Sequence, residues 1–203
     1  KNDSDVWFSD LKRKRKPGPH LNEHNYNAFG ESTKSVHAGQ YDDPLTNAVG
    51  TPIYQTSTFY LSENEYEAVH EGSARDEMVY TRYGNPSQWA VQEKISALEN
   101  AESTIVFSSG MAAISSAIFS MMEKSAHIIT SRDLYGGTYN LLYEDLQRFG
   151  MSVSFVSPTN INEIEDAITD NTKLLYFESM TNPLLKLVPI VELVVLAKKY
   201  KLR

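Results

Sequence analysis

The sequence predicts an α/β fold, with a mostly parallel sheet covered by helices on both faces and an extended arm in front of it. Short apolar, β-branched runs of strand length alternate with segments of helical periodicity in the last third of the chain. Such alternation is typical of parallel sheets, and right-handed crossovers bring the turns after the strands to one edge. The predicted strands and helices are, in order, 127–131, 138–149, 152–156, 161–168, 172–178 and 189–200.

The residues in front of this alternation are predicted to form a tail and an arm. Residues 1–30 are polar and irregular, and we interpret the basic run Lys12–Lys16 as a solvated extension rather than a localisation signal or a phosphate-seeking arm. Between residues 33 and 60, Pro44 and Pro52 break any helix, which predicts an extended arm that lies across a neighbouring chain.

Two helices are predicted between the arm and the first strand. One covers residues 63–71, and the other ends at Glu99 with Ser87 as its N-cap. We therefore divide the chain into an N-terminal extension and arm, residues 1–86, and the first part of an α/β domain, residues 87–203.

The composition of the chain excludes several classes of protein. The 203 residues are 41% hydrophobic, which is enough for a substantial core, and the net charge of -7 gives no reason to expect nucleic acid. The absence of cysteine excludes disulfides and thiolate sites and is consistent with a cytoplasmic protein. We find no membrane span, no signal peptide and no histidines at metal-ligand spacing, and we expect the chain to be a piece of a longer polypeptide.

A candidate anion site lies at the turn Ser109-Gly110-Met111. The apolar run 103–107 before it is predicted to be a strand, and the residues after it, from Ala112 on, are predicted to be a helix. The first backbone N–H groups of a helix have no partners in the helix, and the helix dipole adds positive potential to them. The turn could therefore bind a phosphate, although a Gly-containing connection without a ligand is the simpler structural interpretation.

Polar and aromatic residues follow two further predicted strands. Tyr135 stands before two glycines after the first strand, and Glu178 and Asn182 follow the third. Together with the Ser109 turn they would form one rim that suits a planar, phosphorylated, heteroaromatic cofactor. Earlier in the chain, Tyr80 and Arg82 offer a hydroxyl and a guanidinium to a phosphate. Each of these residues alone also has an ordinary structural interpretation. These are a core tyrosine, a strand-end acid that faces water, an Asn-Pro turn, and an aromatic turn with a surface Arg.

From about Ser32 onward, the chain resembles the N-terminal half of the pyridoxal-phosphate-dependent enzymes of trans-sulfuration. This family includes cystathionine γ-synthase, the cystathionine lyases, methionine γ-lyase and the homoserine-ester sulfhydrylases. The resemblance implies the aminotransferase-like fold, also called fold type I, and a homotetramer built from two dimers with shared sites. The motifs that carry it lie at 35–39, 80–86, 109–113, 135–138 and 178–183.

The resemblance also implies a role for each candidate residue. Ser109, Gly110 and Met111 would bind the cofactor phosphate, and Tyr80 and Arg82 of a neighbouring subunit would reach the same phosphate. Tyr135 would stack on the pyridine ring and act in catalysis near the substrate. Asn182 would hydrogen-bond the phenolic oxygen of the ring, and Glu178 would help to order the site.

One part of the family pattern is missing from this sequence. The Lys that forms the Schiff base, and the Asp that pairs with the pyridine nitrogen, would follow the last residue, Arg203. The resemblance implies γ-elimination or γ-replacement on cystathionine or an activated homoserine ester when the polypeptide is complete. The alternatives are an O-acyl-homoserine sulfhydrylase, a methionine γ-lyase-like activity, or a non-catalytic fragment or paralogue that keeps only the fold and the interface. The resemblance gives two indications on this choice. Gly137 stands where methionine γ-lyases typically have Cys, which argues against that activity, and Asn140 is more similar to a sulfhydrylase.

Overall fold

The computed structural model describes residues 26–41, 43, 46–74 and 77–203. The basic run 12–16 lies outside these residues. The chain divides into two compact units, residues 1–106 and 107–203, which are described in turn. The predicted division at residue 86 separates an arm from the cofactor domain of the complete protein, and it stays a prediction. None of the helices in the described part of the chain is long and apolar enough to span a lipid bilayer.

The first unit is helical. The predicted helix at 63–71 is confirmed as α2, in which Ser62 and Glu65 form a capping box and Gly72 ends the helix in the left-handed conformation. The helices of this unit are α1, Glu31–His37, α2, Glu63–Glu71, and α3, Pro86–Glu99, with a 3-10 turn, Tyr26–Ala28, in front of them.

Two details of the first unit differ from the sequence-based expectation. The predicted arm from residue 33 is wrong over α1, because its helix-breaking prolines come only after the helix has ended. Lys34 of α1 is 3% exposed, and its Nζ lies 2.7 Å from Asn100 Oδ1, which anchors this helix on the end of α3. The predicted cap of α3 is also wrong, because Asn85 Oδ1 accepts from the Ser87 backbone N–H at 2.8 Å, and Pro86 begins the helix.

The second unit contains the predicted sheet. Its strands are β1, His127–Ser131, β2, Ser152–Val156, and β3, Thr172–Tyr176. They are all parallel and lie in the order β2-β1-β3, and the third strand ends at Tyr176 rather than at residue 178.

The helices of the second unit are α4, Gly110–Met121, α5, in the consecutive parts Gly136–Asn140, Leu141–Asp145 and Leu146–Arg148, α6, Ile161–Asp166, and α7, Ile190–Tyr200. Within α5 the geometry changes from α-helical to π-helical at Leu141.

Apolar side chains cover both faces of this sheet. Every residue of β1 is buried, and its consecutive residues Ile128 and Ile129 belong to different clusters, because side chains alternate between the two faces of a strand. Ile128 packs with residues of α4 and α5, whereas Ile129 packs with residues of α6 and α7. The predicted α/β class, with helices on both faces, is confirmed.

The run at 103–107 does not form the predicted strand. Its apolar content is high, but a strand also needs a hydrogen-bonded neighbour, and none of the described strands pairs with this run. Ile105 and Phe107 are 61% and 44% exposed. Within the described residues, the segment that leads to α4 is therefore irregular.

His127 makes the sheet sensitive to acid. Its Nδ1 lies 2.8 Å from Thr172 Oγ1 of β3, and its Nε2 lies 2.9 Å from Ser154 Oγ of β2. Burial lowers the pKa of His127 below its ordinary value of 6.5, since the charged imidazolium loses its hydration.

We expect the free energy of unfolding to fall as the pH is lowered from 8 through 6.5, because unfolded His127 binds a proton that the folded side chain binds only at lower pH. Urea unfolding at pH 8 and pH 5.5 measures this change. The same loss should be smaller in His127→Gln and unaltered in His37→Gln, where the replaced histidine is exposed. Equal pH dependence in all three proteins would contradict the assignment.

Candidate active site

The N-terminus of α4 forms an open cradle of backbone donors. Ser109 is the N-cap, and its Oγ accepts from the Ala112 N–H at 3.1 Å. Gly110 and Met111 follow it, and the N–H groups of these two residues have no acceptor in the described part of the chain. Apart from its two chain neighbours and the backbone of its own helix, no heavy atom lies within 4 Å of the position that a Cβ of Gly110 would occupy, and the first turn of α4 carries no acidic residue. These features suit an anion such as a phosphate.

Tyr135 brings an aromatic ring next to this cradle. A Cβ on Gly137 would lie 2.7 Å from Tyr135 Cε1 and 3.1 Å from Met111 Sδ, so the ring and the thioether both lie against this glycine. The Tyr135 side chain is 51% exposed, which leaves a ring face free for a planar ligand. The structure therefore brings together the Ser109 turn and the loop after β1, as the sequence predicts.

Glu178 contacts the backbone of Tyr135. Both of its carboxylate oxygens are 3.2 Å from the Tyr135 backbone N, which donates to them. Asn182 lies in the exposed turn that follows, before a cis bond to Pro183, and its side chain makes no hydrogen bond within the described residues. Glu178 is thus hydrogen-bonded to the loop after β1, whereas the Asn182 side chain is not.

Tyr80 and Arg82 belong to the first unit, so they are described apart from the residues above. Tyr80 forms an antiparallel bridge with Thr58, which fixes the backbone of the turn. The Arg82 guanidinium carbon lies 5.1 Å from the Tyr80 ring centroid and 5.4 Å from that of Tyr83. No carboxylate among the described residues pairs with Arg82, so its charge is available to an anion.

Two residues near the site were not among the predicted site residues. Thr138 is fully buried, and its Oγ1 lies 3.8 Å from Met111 Sδ. Tyr176 stands at the end of β3. Burial raises the pKa of Tyr176, the Thr138 side chain opposes this change, and the charge of Glu178 adds to it. The Tyr176 hydroxyl therefore stays neutral at physiological pH.

The donor set of the second unit fits pyridoxal phosphate better than a metal. Backbone N–H groups at a helix N-terminus and an exposed ring match the phosphate and the ring of such a cofactor. In the part of the chain that the structure describes, no three His, Asp or Glu side chains converge on one point. The cradle has the space and the polarity that the predicted cofactor requires.

Residues 32–203 match the family model described as Cys/Met metabolism PLP-dependent enzyme. The chain belongs to this family. The match confirms the resemblance found in the sequence, and the cofactor of the family is the predicted one, pyridoxal phosphate. The motifs at the N-terminus of α4 and after β1 and β3 lie within the matched residues.

Curated relatives within the family carry different names. The chain is 39% identical to an L-methionine gamma-lyase of Fusobacterium nucleatum subsp. polymorphum over 165 residues, which are 80% of this chain and 41% of that protein. It is 36% identical to a cystathionine gamma-lyase of Bacillus subtilis over 169 residues, 83% of this chain and 42% of that protein. The chain thus spans about two fifths of the length of these two relatives.

A solved structure has the same fold. A putative O-acetylhomoserine (thiol)-lyase of Campylobacter jejuni superposes with a TM-score of 0.78 at 26% identity, over 86% of this chain and 43% of that one. That structure contains pyridoxyl-lysine phosphate. The similarity confirms the predicted fold class of pyridoxal-phosphate enzymes.

Proposed function

We propose that the polypeptide containing this chain catalyses γ-elimination or γ-replacement on cystathionine or an activated homoserine ester, with pyridoxal phosphate as cofactor. The observation that carries the proposal is the position of the Tyr135 ring, which lies beside Met111 at the N-terminus of α4. A phosphate in the cradle would place an attached heteroaromatic ring within reach of Tyr135. Family membership of residues 32–203 supports the same function.

Each residue of the site has a role under this proposal. When bound, pyridoxal phosphate supplies an electron-withdrawing ring that weakens bonds to the substrate carbon next to the amino group. Ser109, Gly110 and Met111 hold the phosphate, and the Tyr135 ring packs on the cofactor ring. The Tyr135 hydroxyl holds or moves a proton at the substrate amino group or at the leaving group. The Asn182 amide donates to the phenolic oxygen.

Further parts of the proposal concern the complete protein. We propose a homo-oligomer, built from dimers and assembled as a tetramer, in which Tyr80 and Arg82 of a second copy complete the phosphate site. The Lys that would hold the cofactor covalently is expected in a part of the complete polypeptide that follows these 203 residues. A cytoplasmic location belongs to the same proposal.

Methionine γ-lyase activity is the second candidate, because one of the relatives described above carries that name at 39% identity. Sulfhydrylase activity is a further alternative, which the Campylobacter structure at 26% identity supports. A non-catalytic protein that keeps the fold and the interface would have the same architecture without the chemistry.

A substrate panel tests these alternatives. The full-length protein, with pyridoxal phosphate, is incubated with cystathionine, with methionine, and with an acyl-homoserine in the presence of either cysteine or sulfide. Release of cysteine from cystathionine supports γ-elimination, and formation of cystathionine from the ester and cysteine supports γ-replacement. Thiol release from methionine supports the second candidate, and sulfide consumption supports the sulfhydrylase. No turnover by a protein that binds the cofactor would support the non-catalytic alternative.

Tyr135→Ala should weaken the binding of pyridoxal phosphate and lower turnover, whereas Tyr135→Phe should keep most of the affinity. Loss of an aromatic contact costs about 0.5–1.5 kcal/mol beyond the buried area, a reduction in affinity of about threefold to tenfold. Equilibrium dialysis of the full-length proteins against the cofactor measures the effect. Equal affinity in the wild type and the Ala variant would show that the ring packs elsewhere.

A further inference from the structure

Two side-chain contacts join the loop after β1, residues 132–135, to the loop after β3, residues 178–188. The Glu178 carboxylate accepts from the Tyr135 backbone N–H, with both oxygens at 3.2 Å. Lys186 Nζ lies 2.9 Å from Asp133 Oδ2. The loop that carries Tyr135 is therefore held at two positions, Asp133 and Tyr135, by the other loop.

The loop after β3 is itself a closed structure. Thr181 is 1% exposed and lies at its centre, where its N–H donates to the Lys186 carbonyl at 3.0 Å and its Oγ1 accepts from the Lys186 N–H at 3.1 Å. Val188 N donates to the Ser179 carbonyl at 3.2 Å, which closes the loop near its base. Glu178 projects from this base, so its position is defined by the loop and by β3.

Tyr135 is the residue before α5, with an extended backbone at φ −54° and ψ 133°, and half of it is exposed. Its carbonyl accepts from the Tyr139 N–H at 2.9 Å, and its ring lies against Gly137. Among the described residues, the acceptors of its own N–H are the two Glu178 oxygens. This contact therefore helps to set where the Tyr135 backbone, and with it the ring, lies.

We propose that Glu178 is a positioning residue that acts on the cofactor through Tyr135. Its carboxylate fixes the Tyr135 backbone, and this fixes the ring beside the N-terminus of α4. The inference rests on the proposed function, since it requires that the Tyr135 ring packs on the cofactor. This role differs from a direct action of the Glu178 charge on the cofactor. For positioning, the essential property of Glu178 is its acceptor oxygen, and the negative charge is not required.

Replacement of Glu178 separates these two roles. Glu178→Ala removes the acceptor and should weaken pyridoxal phosphate binding about threefold to tenfold, and no more than Tyr135→Ala does. Glu178→Gln removes the charge but keeps an amide oxygen that accepts from Tyr135, so it should retain most of the affinity. If the Gln variant loses as much affinity as the Ala variant, Glu178 acts through its charge and the proposal is overturned.

A double-mutant cycle gives the decisive result. In a Tyr135→Ala background the ring is absent, so Glu178→Ala should cause no further loss of affinity beyond about twofold. A full additional loss in that background would overturn the proposal. Dissociation constants of the full-length proteins for the cofactor are the readout, and thermal unfolding of each apoprotein identifies variants that fail to fold.

Glu163→Ala is the matched control. Glu163 is another acidic residue that holds the same loop, through Arg132 NH2 at 2.6 Å, but it does not contact Tyr135. This variant should keep the wild-type affinity within about twofold, because exposed ion pairs contribute little. A tenfold loss in this control would assign the effect to the loop in general and contradict a specific role of Glu178. If Tyr135→Ala itself leaves the affinity unchanged, the proposed function fails instead.

Discussion

Replacement of Gly110 by Asp is expected to abolish the binding of pyridoxal phosphate at concentrations that saturate the wild type, while the apoprotein stays folded. Two like charges a few ångströms apart near a protein surface repel strongly enough to weaken binding about a hundredfold or more. The apoprotein should tolerate the change, because no heavy atom outside the two neighbouring residues and the backbone of α4 lies within 4 Å of the new Cβ. An acidic residue in the first turn of α4 also interacts favourably with the helix dipole, by about 0.3–1 kcal/mol.

The measurement combines cofactor titration with thermal unfolding of the apoprotein. Ser116→Asp is the matched control, since it adds the same charge to an exposed position of the same helix, about 9 Å along its axis from Gly110. This control should bind the cofactor nearly as well as the wild type. If Gly110→Asp keeps the wild-type affinity, the phosphate does not bind at the N-terminus of α4. Equal losses in both variants would indicate a long-range effect of charge.

The elements of the second unit could be predicted because local pattern and tertiary environment agree there. The three central residues of β1, Ile128 to Thr130, are β-branched, and all five of its residues are buried. Pro189 precedes α7, and Gly150, in the left-handed conformation, follows α5, so both boundaries have a local cause. Each of these signals can be read within a few residues of the chain.

The errors occur where a distant partner decides the local structure. Lys34 stabilises α1 through Asn100, which is 66 residues away, and no pattern around residue 34 indicates that contact. The run at 103–107 has the composition of a strand, but none of the described strands pairs with it. Composition measures the tendency to form a strand, whereas a hydrogen-bonded partner elsewhere in the chain determines whether one forms.

The site shows the same division between local and distant causes. The cradle before Met111 could be predicted, because a glycine after a capping serine at a helix start is a local pattern. The bond from Glu178 to the Tyr135 N–H joins residues 43 positions apart, and the Thr138 side chain acts on the pKa of Tyr176 from a different element. Neither has a periodic signal, so only the three-dimensional structure reveals them.

Arg82→Ala is expected to weaken the binding of pyridoxal phosphate about tenfold or more, since charge-assisted hydrogen bonds to a phosphate contribute roughly 1.5–3 kcal/mol. The guanidinium lies over the Tyr80 and Tyr83 rings, which hold it in place before an anion binds. Arg82→Lys keeps the charge but not the planar pair of donors, so it should recover only part of the affinity. Arg148→Ala, which removes an exposed Arg paired with Asp145, should bind normally.

Mixing of variants tests whether Arg82 serves a second copy of the chain. Full-length Arg82→Ala protein is mixed with Gly110→Asp protein under conditions of subunit exchange. Half of the dimers then contain both variants, and in each of these one site combines an intact cradle with an intact Arg82. About a quarter of all sites should therefore regain tight cofactor binding. If Arg82 serves the cradle of its own chain, every site keeps one defect, and no tight binding returns although exchange has occurred.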